Sequence, residues 1–297
     1  MLSILIPIYN YKVHPLVSTL HKQASLEQIP FEIICIDDAS TQFHAENDRL
    51  AELNNVQYQK LETNIGRSAL RNLLARKGKY PSLLFIDTDM DIKNDAYIKT
   101  YLTYAESYDV VYGGILYEET PPNKDYMLRW KYGTKREALL PLQRNQDPYF
   151  SIKTCNVLIK KNVFNSIQFN ENIREYGHED TLFSIDVSRK KLKILHIENP
   201  LYHLGIESSQ QYLNKVEIAC KSLTFIADHY LQEEEKNHIR LLYFYNRIKK
   251  MGLLWFVKNI YLLFEKSILK NLLSENPSLL LLDYYKLMSF EKINKNN

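Results

Sequence analysis

In LLFIDTDMD, Leu83–Asp91, four apolar residues run into acids at every second position: Asp87, Asp89 and Asp91. A carboxylate at the mouth of an apolar strand is costly to desolvate unless it is paired, hydrogen-bonded or metal-bound. A hard divalent cation takes oxygen ligands, and a departing diphosphate needs its developing charge neutralised. Asp87 and Asp89 project to one side if the strand continues through them. The competing reading of this stretch is a solvated turn whose acids cap the next helix.

Other residues of the same chemical kind recur along the chain. Asp37 and Asp38 close another apolar run in IICIDDAS, either as ligand-facing carboxylates or as caps of the next helix. In NIGRSALRN, Arg67 and Arg71 stand one helical turn apart on one face, and Gly66 admits close approach of the backbone to a ligand. In YGHED, Glu179 and Asp180 begin a helix, where the dipole favours their ionised forms. His203, in NPLYHLG, comes after a short apolar run, and imidazole is a competent ligand for manganese-like ions.

The elements that must position these groups alternate. Ser3–Tyr9, Phe31–Asp37, Val56–Glu62 and Leu83–Ile86 read as strands, with helices over Pro15–Glu27 and Ser68–Lys77 between them. That alternation predicts a parallel α/β sheet, with Asp37, Asp38, Asp87 and Asp89 near carboxyl ends of strands, where open sheets bind ligands. Asp109–Leu116 is a further strand. Glu118–Tyr149 loses periodicity and reads as a long loop with short helices or as a mobile lid. Asn156–Phe164 is a strand and turn, Asp180–Lys190 a helix, Leu192–Ile197 a strand, and the chain from Ser208 is helical.

The 297 residues carry a formal net charge of +3, too small to argue for nucleic acid. Twenty-two tyrosines show no basic-aromatic repeat of a base-stacking surface. Cys35, Cys155 and Cys220 have neither disulfide-framework nor zinc spacing, and a reducing compartment suits them. MLSILIPIY lacks the basic lead of a secretory signal, and no apolar run is long enough to span a membrane. Lys236–Lys270 holds eight Lys or Arg against one acid, Glu265, among LLYFY, GLLWFV and YLLF. Two readings fit that stretch and are compatible: contact with an anionic membrane surface, or packing on the core or a second subunit.

Taken in order, LSILIPIYN, IICIDDAS, NIGRSALRNLLA, FIDTDMD and YGHED with YHLG behind it resemble family 2 glycosyltransferases, inverting enzymes of the GT-A fold. The resemblance covers roughly residues 2 to 205. It implies a GT-A-like, Rossmann-type mixed α/β sheet flanked by helices, with a helical C-terminal extension. The domain expected at 1–205 divides into a nucleotide-sugar half, 1–115, and an acceptor half, 116–205; the extension is 206–297.

The resemblance implies roles for particular residues. Asp89 contacts a divalent Mn or Mg ion on the donor diphosphate, Asp87 contacts the donor ribose or helps with the metal, and His203 is a third ligand. Family members often carry a further acid straight after the DxD; Met90 stands there, which leaves Asp91 unassigned. Asp38 reads the uracil edge, beside Pro7 and Tyr9 lining the nucleoside. Ala39 stands where relatives often have Gly. Arg71 lies near the base or diphosphate, Arg67 either joins it or faces solvent, and Asn64 and Gly66 shape the loop. Asp180 is the general base and Glu179 orients the acceptor; Lys153 and Asn156 fall in the acceptor-side wall, and His178 is unassigned.

The implied activity moves a sugar from a nucleotide-sugar, first of all a UDP-sugar with GDP and dTDP donors open, to a hydroxyl of a glycan or lipid-linked glycan. The transferred group is a hexose or N-acetylhexosamine. The expected setting is cytoplasmic, with peripheral membrane contact and a homo-oligomer both compatible. The rival reading is a non-catalytic nucleotide-sugar-binding subunit. A haloacid-type phosphatase fits less well because Asp91 stands where its motif wants Thr or Val, and a nucleotidyltransferase because ILIPIYNYKVH is not a Gly-rich basic loop.

Overall fold

The structure is a computed structural model that describes residues 1–296; Asn297, the end of the expected extension, lies outside the described residues. The chain divides into two compact units. The first comprises Met1–Tyr117, Ala138–Arg174 and Glu179–Gly205, and the second Glu118–Glu137, Glu175–His178 and the chain from Ile206 onward.

The first unit is built on strands β1 (Leu2–Ile8), β2 (Phe31–Asp37), β3 (Val56–Lys60), β4 (Ser82–Ile86), β5 (Met90–Asp91), β6 (Val110–Tyr112), β7 (Ile115–Leu116), β8 (Asn156–Lys160), β9 (Ile194–His196) and β10 (Leu201–His203). Seven form the main sheet in the order β3-β2-β1-β4-β8-β6-β9. β1 to β4 run parallel, but β8 is antiparallel to both β4 and β6, so the sheet is mixed. β2 and β4 are buried along their whole length, as near-continuous apolar runs require, while the edge strand β3 keeps polar residues outward. Helices His14–Leu26, Arg67–Lys77, Tyr97–Tyr104 and Glu179–Arg189 accompany it. Leu70 and Leu74 of the second of these helices join Phe85, Phe164, Phe169 and Phe183 in one core, where Phe169 stacks on Phe183 at 4.7 Å.

A small second sheet, β5-β10-β7, accounts for two departures from expectation. The strand expected over Asp109–Leu116 breaks at Gly113–Gly114, sending β6 to the main sheet and β7 to the small one. Gly114 has φ +97, and a Cβ on Gly113 would meet Asn199 O and sit 2.6 Å from Asn156 Nδ2. Arg144 closes the break, donating to Tyr112 O at 3.2 Å, Gly113 O at 3.3 Å and Ile197 O at 2.9 Å. β4 also stops at Ile86, so Asp87 to Asp89 form a turn into β5 rather than alternating along one strand.

The second unit is helical: Ser209–His229, Arg240–Lys250, Leu254–Leu272 and Leu279–Asn296 are its long members. Ser208 and Gln211 form a reciprocal cap at the first. Tyr245 meets Phe290 edge-on at 4.9 Å, and Tyr261 meets Tyr284 at 5.3 Å. The segment Glu118–Glu137, part of the expected loop or lid, is short helix and helical turn built into this unit. Arg129 pairs with Glu137 at 2.9 Å and Glu207 at 3.4 Å, and Arg136 with Asp283 at 3.0 Å. Among the described residues, no helix is long and apolar enough to cross a membrane.

Candidate active site

From β1 the chain moves outward through β2 to β3, whereas β4 lies on the other side of β1. The carboxyl ends of β1 and β4 therefore flank a topological switch point, the place where open α/β sheets bind ligands. Tyr9 comes directly after β1, Asp37 and Asp38 lie at the end of β2, and Asp87 to Asp89 lie just beyond β4. Tyr9 is 55% exposed there, and Pro7 is half-buried within β1.

Asp38 is a buried loop organiser. Its Oδ1 accepts from Ile65 N at 2.7 Å, its Oδ2 from Gly66 N at 3.0 Å, and Asn64 Nδ2 donates to its carbonyl at 3.1 Å. Each carboxylate oxygen retains a further lone pair. Asp37 caps instead: its Oδ1 accepts from Ser40 N at 2.7 Å and its Oδ2 from Tyr58 OH at 3.0 Å. Ala39, where relatives often have Gly, sits at φ +59 in the left-handed region. Gly66, at φ +85, turns the chain into the helix Arg67–Lys77.

That helix carries two arginines to two acids far away in sequence. Arg71 is 1% exposed and donates from Nη2 to Asp87 Oδ1 at 2.7 Å. Its Nη1 stands 4.0 Å from Glu179 Oε1, and its guanidinium lies 5.7 Å from the Phe169 ring. So buried, Arg71 braces the carboxylates at the end of β4 from within the fold. Arg67 is half-exposed and bridges the same acids, with Nη2 3.4 Å from Asp87 Oδ2 and Nε 3.1 Å from Glu179 Oε1. Burial works to raise both acids, but Arg71 and Arg67 outweigh it at Asp87, and Arg67 and Arg71 at Glu179. Both carboxyls are held below their ordinary range.

Asp89 meets a different partner. The antiparallel register of β5 and β10 sets His203 opposite Met90, and His203 Nε2 lies 3.4 Å from Asp89 Oδ2. Leu204 N donates to Asp89 O at 2.8 Å. A Cβ on Gly205 would fall 2.9 Å from Asp89 Cβ and 3.1 Å from its Oδ2, so a side chain there would crowd the carboxylate. Tyr117 stacks on the His203 ring at 5.4 Å, and His203 Nδ1 is buried with no hydrogen-bond partner among the described residues. Burial pushes the Asp89 carboxyl up; His203 pulls it down and Asp87 adds to the rise. Burial and Asp89 together raise the Tyr11 phenol.

Among the described residues no group of three His, Cys, Asp or Glu gathers as a metal cluster. The donor set still fits a divalent cation at a diphosphate. Such ions bind through one or two side chains and complete their shell with phosphate oxygens and water. Asp89 and His203 would hold it, with Asp87, whose two oxygens face Arg67 and Arg71, beside them. Bound there, the ion would neutralise charge on the leaving diphosphate.

Asp180 stands apart from these ion pairs. Thr154 Oγ1 donates to its Oδ1 at 2.5 Å. Burial and then the neighbouring Glu179 raise its carboxyl, against Lys153, Arg71 and the Thr154 hydrogen bond. The helix start therefore does not decide its protonation as the sequence suggested; burial and a like charge do. Adjacent carboxyls with opposite shifts are the pattern expected of separate chemical roles. Asp180 is suited to take a proton, and Glu179 to stay ionised.

The remaining expectations resolve by position. Asn156 is a fully buried hub, not a wall: Tyr97 and Tyr101 hydroxyls donate to its Oδ1 at 2.6 and 2.7 Å, and its Nδ2 donates to Gly114 O and Asn199 O. Asp91 pairs in register with Tyr202. His178 adopts φ +67. Thr154, Gly205, Tyr11 and Tyr117 were not legible as site residues. Only the glycine in YHLG offered a signal.

The fold and the switch-point acids define a nucleotide-binding α/β transferase architecture. Solved structures of S. aureus TarS residues 1–349 share it: one matches with a TM-score of 0.53 at 16% identity, covering 100% of this chain and 92% of that one. The UDP complex of that protein matches with a TM-score of 0.52 at 18% identity, and its UDP-GlcNAc complex with 0.51 at 17%, with the same coverage of 100% and 92%. At such identities the likeness establishes the GT-A fold. No curated protein matches the chain. The family model described as "Glycosyl transferase family 2" matches residues 3–167. The chain belongs to that family and is an inverting glycosyltransferase that takes its sugar from a nucleotide-sugar.

Proposed function

We propose that the donor is a UDP-sugar carrying a hexose or N-acetylhexosamine, and that the acceptor is a sugar hydroxyl of a glycan or lipid-linked glycan. Asp180 takes the proton of the attacking hydroxyl as that oxygen displaces the diphosphate from the opposite face of the anomeric carbon. Glu179, kept ionised by Arg67 and Arg71, orients the acceptor. Arg67 and Arg71 also hold Asp87 toward the donor ribose, and Asp89 with His203 holds a Mn or Mg ion. Asp38, Asn64 and Gly66 shape the base pocket beside Pro7 and Tyr9. The enzyme works at the cytoplasmic face of a membrane, either as single chains or as a homo-oligomer.

The observation that carries this reading is the split pair: Asp180 pushed up by burial beside Glu179 held down by arginines. A general base works best when its proton affinity approaches the working pH. The UDP and UDP-GlcNAc complexes of S. aureus TarS support a uridine donor on the shared fold. The test is a thermal-shift panel of UDP-, GDP-, dTDP- and CDP-sugars, each with Mn and with EDTA. A shift from uridine donors that EDTA abolishes is the expected result. Shifts from another nucleotide class replace the donor, and shifts indifferent to EDTA remove the metal.

A further inference from the structure

The helix Leu254–Leu272 buries one side only. Tyr261, Ile268 and Leu272 are buried, and Tyr261 meets Tyr284. The opposite face presents Trp255, Phe256, Ile260 and Leu263 at helical spacing, from 36% to 77% exposed. Met251 and Leu253, in the turn before it, are also exposed, and Gly252 there adopts φ +71 with open space around it.

The charges around this apolar face are basic with one exception, the exposed Glu265. Arg247, Lys249 and Lys250 precede it, and Lys258, Lys266 and Lys270 lie along it. None of these six has an acidic partner among the described residues, whereas Lys236 and Arg240 do. A two-fold contact between copies would set this patch on itself and bring its cations together. An anionic bilayer presents the opposite charge to the lysines and an apolar layer to the aromatic residues. Tryptophan favours the membrane–water boundary, and lysine stems lie along apolar surface while their heads stay wet.

We infer that 249–263 forms a membrane-docking surface whose partner is an anionic lipid bilayer. Trp255, Phe256, Ile260 and Leu263 enter the headgroup–acyl boundary, and Lys249, Lys250 and Lys258 engage anionic headgroups. The helix lies in the interface plane. The inference deepens the proposed work at a membrane face and rests on that reading for its biological sense.

The experiment uses the full chain with vesicles of phosphatidylcholine alone or mixed with phosphatidylglycerol. Trp130 and Trp255 are the two tryptophans, so Trp130→Phe makes Trp255 a reporter. Sedimentation with the anionic vesicles, release by salt and a blue shift of Trp255 emission are expected. Lys249→Glu with Lys250→Glu should lower vesicle partitioning on the order of tenfold or more. Trp255→Ser with Phe256→Ser should abolish the salt-resistant part. No sedimentation, sedimentation unchanged in both double variants, or self-association through this face that vesicles do not reverse would overturn the inference. A UDP-sugar thermal shift on the same samples separates the two proposals. Retained shift without vesicle binding removes only membrane docking; vesicle binding without any shift removes only the donor assignment.

Discussion

Thr154 Oγ1 donates to Asp180 Oδ1 at 2.5 Å, and Thr154 is itself buried. That one bond orients the carboxyl proposed as the base and favours its ionised form. The pair therefore carries two separable expectations.

Asp180→Asn leaves an oxygen for Thr154 but nothing to take a proton. Transfer should fall on the order of 10²–10⁴-fold while the donor thermal shift is unchanged. Stability should move the other way. The raised Asp180 carboxyl holds its proton more tightly in the folded than in the unfolded chain. Its contribution is thus present at low pH and lost as pH rises through the folded value. The variant should melt higher than wild type at neutral pH, with the gap closing on acidification. Melting curves over pH check the sign.

Thr154→Val keeps shape and removes the bond that favours the carboxylate. The base then ionises only at higher pH, so the acidic limb of the kcat/KM profile should shift upward. Loss of a hydrogen bond to a charged group costs about 1.5–3 kcal/mol, enough to be read from the limb. An unmoved limb would detach Thr154 from the titrating group.

Gly205→Ala places a methyl 2.9 Å from Asp89 Cβ. The backbone at 89 or 205 must shift to relieve this, which displaces the Asp89 carboxylate from His203. Donor binding with Mn should weaken by about tenfold or more, the scale of losing a group that orients a metal ligand, while binding in EDTA stays the same. Titration of UDP-sugar under both conditions distinguishes this from general destabilisation.

Asn156→Ala removes an amide that joins two tyrosine hydroxyls and two carbonyls in the core. Orphaned buried polar groups cost about 1–3 kcal/mol each before relaxation. A loss of about 3 kcal/mol in denaturant unfolding is expected. Intact stability with a changed acceptor KM would return Asn156 to the acceptor wall.

Ala39→Gly relieves a left-handed backbone at φ +59. Stability should rise by up to about 1 kcal/mol, the strain of a side chain there less the extra freedom glycine gains when unfolded. Donor affinity should hold, because Asp38 keeps its bonds to Ile65 and Gly66.

The alternation of apolar runs with helical periodicity determined β1 to β4, the helix Arg67–Lys77 and the acids at strand ends, because such patterns are local and repeat within a few residues. The motifs from LSILIPIYN to YHLG, taken in order, were enough to place the family. The break at Gly113–Gly114, the turn that ends β4 before Asp87, and the building of Glu118–Glu137 into the helical unit were decided by contacts distant in sequence. The same holds for chemistry. Arg71 meets Asp87 sixteen residues on, and His203 reaches Asp89 only through the pairing of β10 with β5. Asp180 and Glu179 are adjacent acids that the helix start alone would ionise alike; burial and two arginines drive them in opposite directions. Residue type sets what a group can do, but desolvation and Coulomb energy depend on what the folded chain packs around it.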